Sequence, residues 1–90
     1  MIRVEIIANR SVEEDLMEAF AHAGIAKQYT KIPVAYGVGA KGARMGDAVW
    51  PEENIILVVW CGEEEARKIA EAAAAVKTKF PNEGVKVFGI

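Results

Sequence analysis

The stretch NIILVVWC, residues 54–61, is apolar at both of its alternating positions. In an extended strand successive side chains point to opposite faces. Ile55, Leu57 and Val59 would therefore line one side, and Ile56, Val58 and Trp60 the other. An uninterrupted run of this kind is the pattern of a strand buried on both faces.

The elements on either side define the topology. Tyr29 to Val38 reads as a strand containing Pro33, and a proline that cannot donate to a ladder predicts a sheet edge. Further upstream, Ile2 to Ala8 alternates and is β-branched, which predicts a strand. Ser11 and Glu14 have the spacing of a capping box, and Val12, Leu16 and Phe20 recur at helical spacing. With Gly24 as the C′ residue, a first helix is expected over about 11–23.

Downstream, Glu63, Glu64 and Glu65 open a second helix and Lys77 and Lys79 close it, an order that suits the helix macrodipole. Ile69, Ala73, Val76 and Phe80 share one face of that helix. Pro81 to Gly84 breaks it, and Val85 to Ile90 is the final strand.

The order βαββαβ predicts an α+β fold over residues 1–90: a ferredoxin-like sandwich with a four-stranded antiparallel sheet and both helices on one face. One face of that sheet then stays uncovered, although the third strand is apolar on both. Each large side chain left in water forgoes about 1.5–3 kcal/mol. Three of them approach the ~5–15 kcal/mol that holds a domain together. Burial of this face between subunits follows, so a homo-oligomer is expected.

Composition narrows the function classes. The 90 residues are 52% hydrophobic and 27% charged with a net charge of −2, which argues for a single globular domain and against a generally basic nucleic-acid binder. The one cysteine, Cys61, allows no internal disulfide and no paired-cysteine zinc site. No secretory or membrane-spanning pattern is present in the sequence, so a soluble, cytoplasmic protein is expected.

Between the second and third strands lies YGVGAKGARMGDAVWPEEN, residues 36–54, with a literal G-x-G-x-x-G at Gly37, Gly39 and Gly42. As a dinucleotide fingerprint it fails, because that motif must open a helix and no helix fits before the next strand. As a plain hairpin connector it is too long, since two to five residues suffice and loops above ~12–15 residues are uncommon. The preferred reading is a flexible effector loop at about 37–53. Lys41 and Arg44 supply cations, the glycines let backbone N–H groups approach an anion, and Met45 and Trp50 offer contacts to a partner.

The βαββαβ layout, the approximate length and this glycine-bearing loop resemble the PII-like superfamily, which includes the PII nitrogen-signalling proteins and the CutA-type divalent-cation tolerance proteins. The resemblance implies a compact trimer with facing sheets. It also implies that Gly37 to Asp47 correspond to the T-loop, the arm such proteins use to regulate partners, often membrane transporters. In PII proteins proper, adenine nucleotides are held by the base of that loop and by a T-G-x-x-G-D-G-K-I-F segment. Here Lys86-Val87-Phe88 matches K-I-F in type, but Gly84-Val85 replaces G-D-G out of register. The tyrosine at the loop tip that is modified in PII proteins is missing, which argues against PII-style covalent control.

Other chemistry-bearing residues are sparse. His22 is the only histidine, and reads as a helix-end cation. Cys61 reads as a small buried hydrophobe. No Ser/His/Asp set can be built, and Asn9-Arg10-Ser11 lacks the glycine pattern of an acylphosphatase loop, so no catalysis and no tightly held cofactor are expected.

The first reading is a trimeric sensor. It binds a small anion between subunits, with an adenine nucleotide as a candidate, through Gly37, Gly39, Lys41, Gly42, Arg44 and Lys86. Lys41, Arg44, Met45 and Trp50 contact a protein partner through the 37–50 loop. A CutA-like metal-tolerance or metal-sensing protein, with Cys61, Met45, His22 and carboxylates as its available ligands, is the second reading. A small ferredoxin-like enzyme is the third.

Overall fold

The computed structural model describes residues 1–37 and 52–89. Strand β1 (Ile2–Asn9) leads through a 3-10 turn (Arg10–Val12) into helix α1 (Glu13–Ala23). Strands β2 (Thr30–Gly37) and β3 (Glu52–Cys61) follow, then helix α2 (Glu63–Lys79) and strand β4 (Val85–Gly89). The sheet is four-stranded in the order β2-β3-β1-β4, with every neighbouring pair antiparallel. This is the α+β ferredoxin-like sandwich expected from the element order.

The two sets on β3 separate as the alternation requires. Ile55, Leu57, Val59 and Cys61 are buried in one core with Val4, Ile6 and Ala8 of β1. Helix α1 contributes Leu16 and Phe20 to this core, the preceding turn gives Val12, and α2 adds Ile69, Ala73 and Val76. Both helices therefore cover the same face. Phe80, just past the end of α2, packs against the core from its rim.

Ile56, Val58 and Trp60 point to the open face, where register gives two transverse rows. One runs Ile32, Ile56, Ile7, Lys86 and the next Thr30, Val58, Glu5, Phe88. Ile7, Ile56 and Val58 are half-buried, while Ile32, Trp60 and Phe88 are exposed. Arg3, opposite Trp60, places its guanidinium 6.0 Å from the indole centroid and pairs with Glu5 at 3.3 Å.

Several local expectations are refined. Pro33 does lie in an edge strand, and the β2–β3 register shifts between Ile32 and Ala35, so the proline sits in an irregularity where its missing N–H breaks no ladder bond. Gly24 ends α1 in the left-handed conformation at φ 69°, and its N–H reaches the carbonyls of Ala21 and Phe20.

The capping box on Ser11 does not form. Asn9 takes the role instead, its Oδ1 accepting from the Ser11 N–H at 3.0 Å, because the chain enters a 3-10 turn before α1 begins. Strands β2 and β3 also continue to Gly37 and Glu52, whose register pairing removes both ends from the loop expected at 37–53.

Candidate functional site

The end of the sheet from which the 38–51 segment leaves brings together four chain segments: the C-terminal end of β1, the facing ends of β2 and β3, and the turn before β4. Gly37 closes β2 opposite Glu52. A Cβ on Gly37 would stand 3.0 Å from Asn54 Nδ2, so glycine here lets the Asn54 amide lie against the neighbouring strand. Asn54 in turn faces Asn9 across the β1–β3 ladder.

Asn9 joins these segments. Its N–H donates to the Gly84 carbonyl at 2.8 Å, its Nδ2 donates to Glu52 Oε2 at 3.5 Å, and its Oδ1 holds the Ser11 N–H. On the helix side of the same corner, Arg10 pairs with Glu53 at 3.6 Å. A shallow depression lined by Arg10, Ser11, Glu13, Glu14 and Met17 opens beside that pair. Lys31 reaches across from β2 to pair with Glu13. The turn before β4 is braced from α2, where Lys77 Nζ donates to the carbonyls of Pro81 at 3.0 Å and Glu83 at 2.6 Å.

Lys86 stands on the open face one row in from Asn9 and Asn54, opposite Ile7, and is exposed. Three strand spacings of ~4.8 Å across the sheet, and a four-residue offset at ~3.3 Å per residue along it, put Lys86 on β4 about 20 Å diagonally from Gly37 on β2. Of the ligand- and partner-binding residues expected from sequence, Gly37 and Lys86 are thus brought to one end of one face. Gly39, Lys41, Gly42, Arg44, Met45 and Trp50 lie outside the described residues.

The remaining candidates separate. Cys61 is buried beneath α2, and desolvation, reinforced by the Glu65 carboxylate, pushes its thiol above the usual 9.0. A raised pKa keeps it protonated at neutral pH, which disfavours a nucleophile or a thiolate ligand. His22 is exposed at the end of α1. Among the described residues no group of three or more His, Cys, Asp or Glu side chains is arranged to hold a metal ion. Glu65 does more than stabilise the α2 terminus, since its Oε2 accepts from the Ala26 N–H at 3.0 Å and pins a residue at φ 52°.

Sequence reasoning missed Asn9 and Arg10 as parts of this corner. Their partners lie 43 residues away in both cases, Glu52 and Glu53, and no local pattern encodes such a meeting. Among the described residues no helix is long and apolar enough to cross a membrane.

A family model described as nitrogen regulatory protein P-II matches residues 1–90, and the chain belongs to that family. No curated protein sequence matches it. Among solved structures, a nitrogen regulatory PII-like protein from Thiomonas intermedia K12, CPII, bound to ADP, AMP and bicarbonate, superimposes with a TM-score of 0.72 at 21% identity, covering 99% of this chain and 86% of that one. The same protein bound to ADP and bicarbonate gives 0.70 at 22% identity, over 99% and 82% of the two chains. A PII-like signaling protein from Thermus thermophilus gives 0.67 at 27% identity, over 99% and 83%.

Proposed function

We propose that this member of the P-II family is a non-enzymatic, cytoplasmic sensor that binds an adenine nucleotide at the loop end of the sheet. The observation that carries the reading is the family match over residues 1–90, beside which Gly37 and Lys86 lie on one face of the sheet about 20 Å apart, a spacing that a neighbouring subunit would bridge. The ADP, AMP and bicarbonate named for the Thiomonas protein support the ligand class. Lys41 and Arg44, with the glycines Gly39 and Gly42, would complete the anion site. The 37–50 loop, with Met45 and Trp50, would present the ligand state to a protein partner such as a membrane transporter.

The same reading makes the protein a homotrimer. Ile7, Ile32, Ile56, Val58, Trp60 and Phe88 give the open face enough apolar surface to pack against its copies, and full burial of each large side chain is worth about 1.5–3 kcal/mol.

Native mass spectrometry with and without ATP, ADP and AMP tests both parts in one experiment. A trimer that takes up nucleotide is expected, and Lys86→Glu should weaken binding by roughly 10- to 100-fold, the worth of one charge-assisted hydrogen bond. Charge reversal of Lys41 or Arg44 should weaken it without unfolding the protein. A trimer that stays empty in millimolar nucleotide would overturn the nucleotide assignment and direct the search to bicarbonate and small carboxylates. A monomer would overturn the assembly.

A further inference from the structure

Asn9 occupies a position that the anion site does not require and that no helix cap explains in full. Three separate groups converge on it. Its backbone N–H holds the Gly84 carbonyl, its Oδ1 holds the first N–H of the 3-10 turn, and its Nδ2 reaches the carboxylate of Glu52, the first residue of β3.

Gly84 ends the turn that leads into Lys86, and Glu52 is the register partner of Gly37. One residue thus stands between the two segments that would share a ligand, holding the first through its backbone N–H and the second through its side chain. The Arg10–Glu53 pair, one residue further along both chains, repeats the β1-to-β3 link on the opposite face of the sheet. The far end of this chain of contacts is anchored in a helix, because Lys77 of α2 holds two carbonyls of the same turn.

We infer that Asn9 is a positioning residue that couples the turn before β4 to the root of the 38–51 segment. A change at residues 81–84 then shifts the backbone at Gly37, Glu52 and Glu53. The coupling rests on the sensor reading for its use, but not for its existence, because it is a property of the ligand-free chain. Its physical basis is the polar link from Nδ2 to Glu52, which the side chain adds beside the backbone ladders in which Ala8 pairs with both Val85 and Ile55. The Arg10–Glu53 pair is a second side-chain link at the same corner. Energetic coupling through such a junction is measured by a double-mutant cycle.

The side chain's two roles separate by substitution. Asn9→Asp keeps the oxygen that accepts from Ser11 and loses the donor to Glu52. Asn9→Ala loses both. Glu52→Gln keeps an acceptor for Nδ2, and Glu52→Ala removes it.

The experiment perturbs one end and reads the other. In ligand-free protein, Lys77→Met frees the 81–84 turn, and amide NMR follows Gly37, Glu52 and Glu53. In the parent chain, Lys77→Met should move these three signals and speed their exchange by roughly 2- to 10-fold, the effect of one lost hydrogen bond. In Asn9→Asp, Asn9→Ala and Glu52→Ala backgrounds the response at Glu52 and Gly37 should shrink to the part carried by the backbone ladders, and in Glu52→Gln it should persist in full. A merely structural cap would leave the response intact in Asn9→Asp, and that result would overturn the inference, as would an unchanged Gly37 signal in the parent. ADP added to the same samples forms a separate arm. Failure of ADP to bind would remove the nucleotide reading while the ligand-free cycle still decides the coupling.

Discussion

Strand β3 offers its two faces to different surroundings, and the contrast separates what the chain does alone from what it does with copies of itself. On one face, Leu57 is 0% exposed between the sheet and two helices of the same chain. On the other, Trp60 is 59% exposed and Phe88 and Ile32 are exposed on the same face, although the residues are as apolar. The first face is closed by residues within the chain and reports on folding. The second is left open by the described residues, so it is the face on which association can be tested. Apolar content alone does not tell the two apart; the direction of the side chain does.

The strongest way to break this comparison is to charge the open face. Ile56→Asp, present once per subunit, should cost a trimer about 5–9 kcal/mol in lost burial and leave a folded monomer by sedimentation. A variant that stayed trimeric would show that the open face is not the interface. On the covered face, Leu57→Ala should cost about 2–5 kcal/mol. This loss should appear in denaturant unfolding of the monomeric Ile56→Asp background as well as in the parent, since no partner is needed to form that core.

Cys61 sharpens the same contrast through pH. Its folded-state pKa is raised, so the neutral thiol is the form that folding favours. The stability it contributes is fully present below the ordinary thiol value and is lost as pH rises through the raised one. Unfolding midpoints should therefore fall at alkaline pH, and Cys61→Ala should flatten that limb of the profile. The thiol should also react slowly with a disulfide reagent until the protein is unfolded. The smallest effect belongs to Arg3 on the open face. Its exposed pair with Glu5 is worth about 0.2–1 kcal/mol, so Arg3→Ala should barely move monomer stability in the denaturant midpoint of the Ile56→Asp background.

Much of this was legible in the sequence because it rests on local rules. The double apolar run of β3, the proline of an edge strand and the glycine that ends α1 each carry a steric or hydrogen-bonding reason that acts within a few residues. The ends of the elements were less legible. Glu52 and Glu53 are charged and follow Pro51, so they resemble loop, yet register with Gly37 and Tyr36 draws them into the strand. Ser11 satisfied the capping pattern, but Asn9 was placed to cap the turn first.

The site divides in the same way. As candidates, Gly37 could be singled out by glycine density and Lys86 by the likeness of Lys86-Val87-Phe88 to the K-I-F segment. The role of Asn9 could not, since it depends on Gly84 and Glu52, brought to it only by the closed sheet.

The irregularity at Pro33 has a further consequence for life at high concentration. A strand at the border of a sheet is a template on which foreign strands can grow. Here that border lacks one donor and breaks register between Ile32 and Ala35, while the opposite border, β4, is only 5 residues long. Neither rim offers a long unbroken ladder for polymerisation. Unlimited edge-to-edge stacking of copies into fibres is thereby disfavoured.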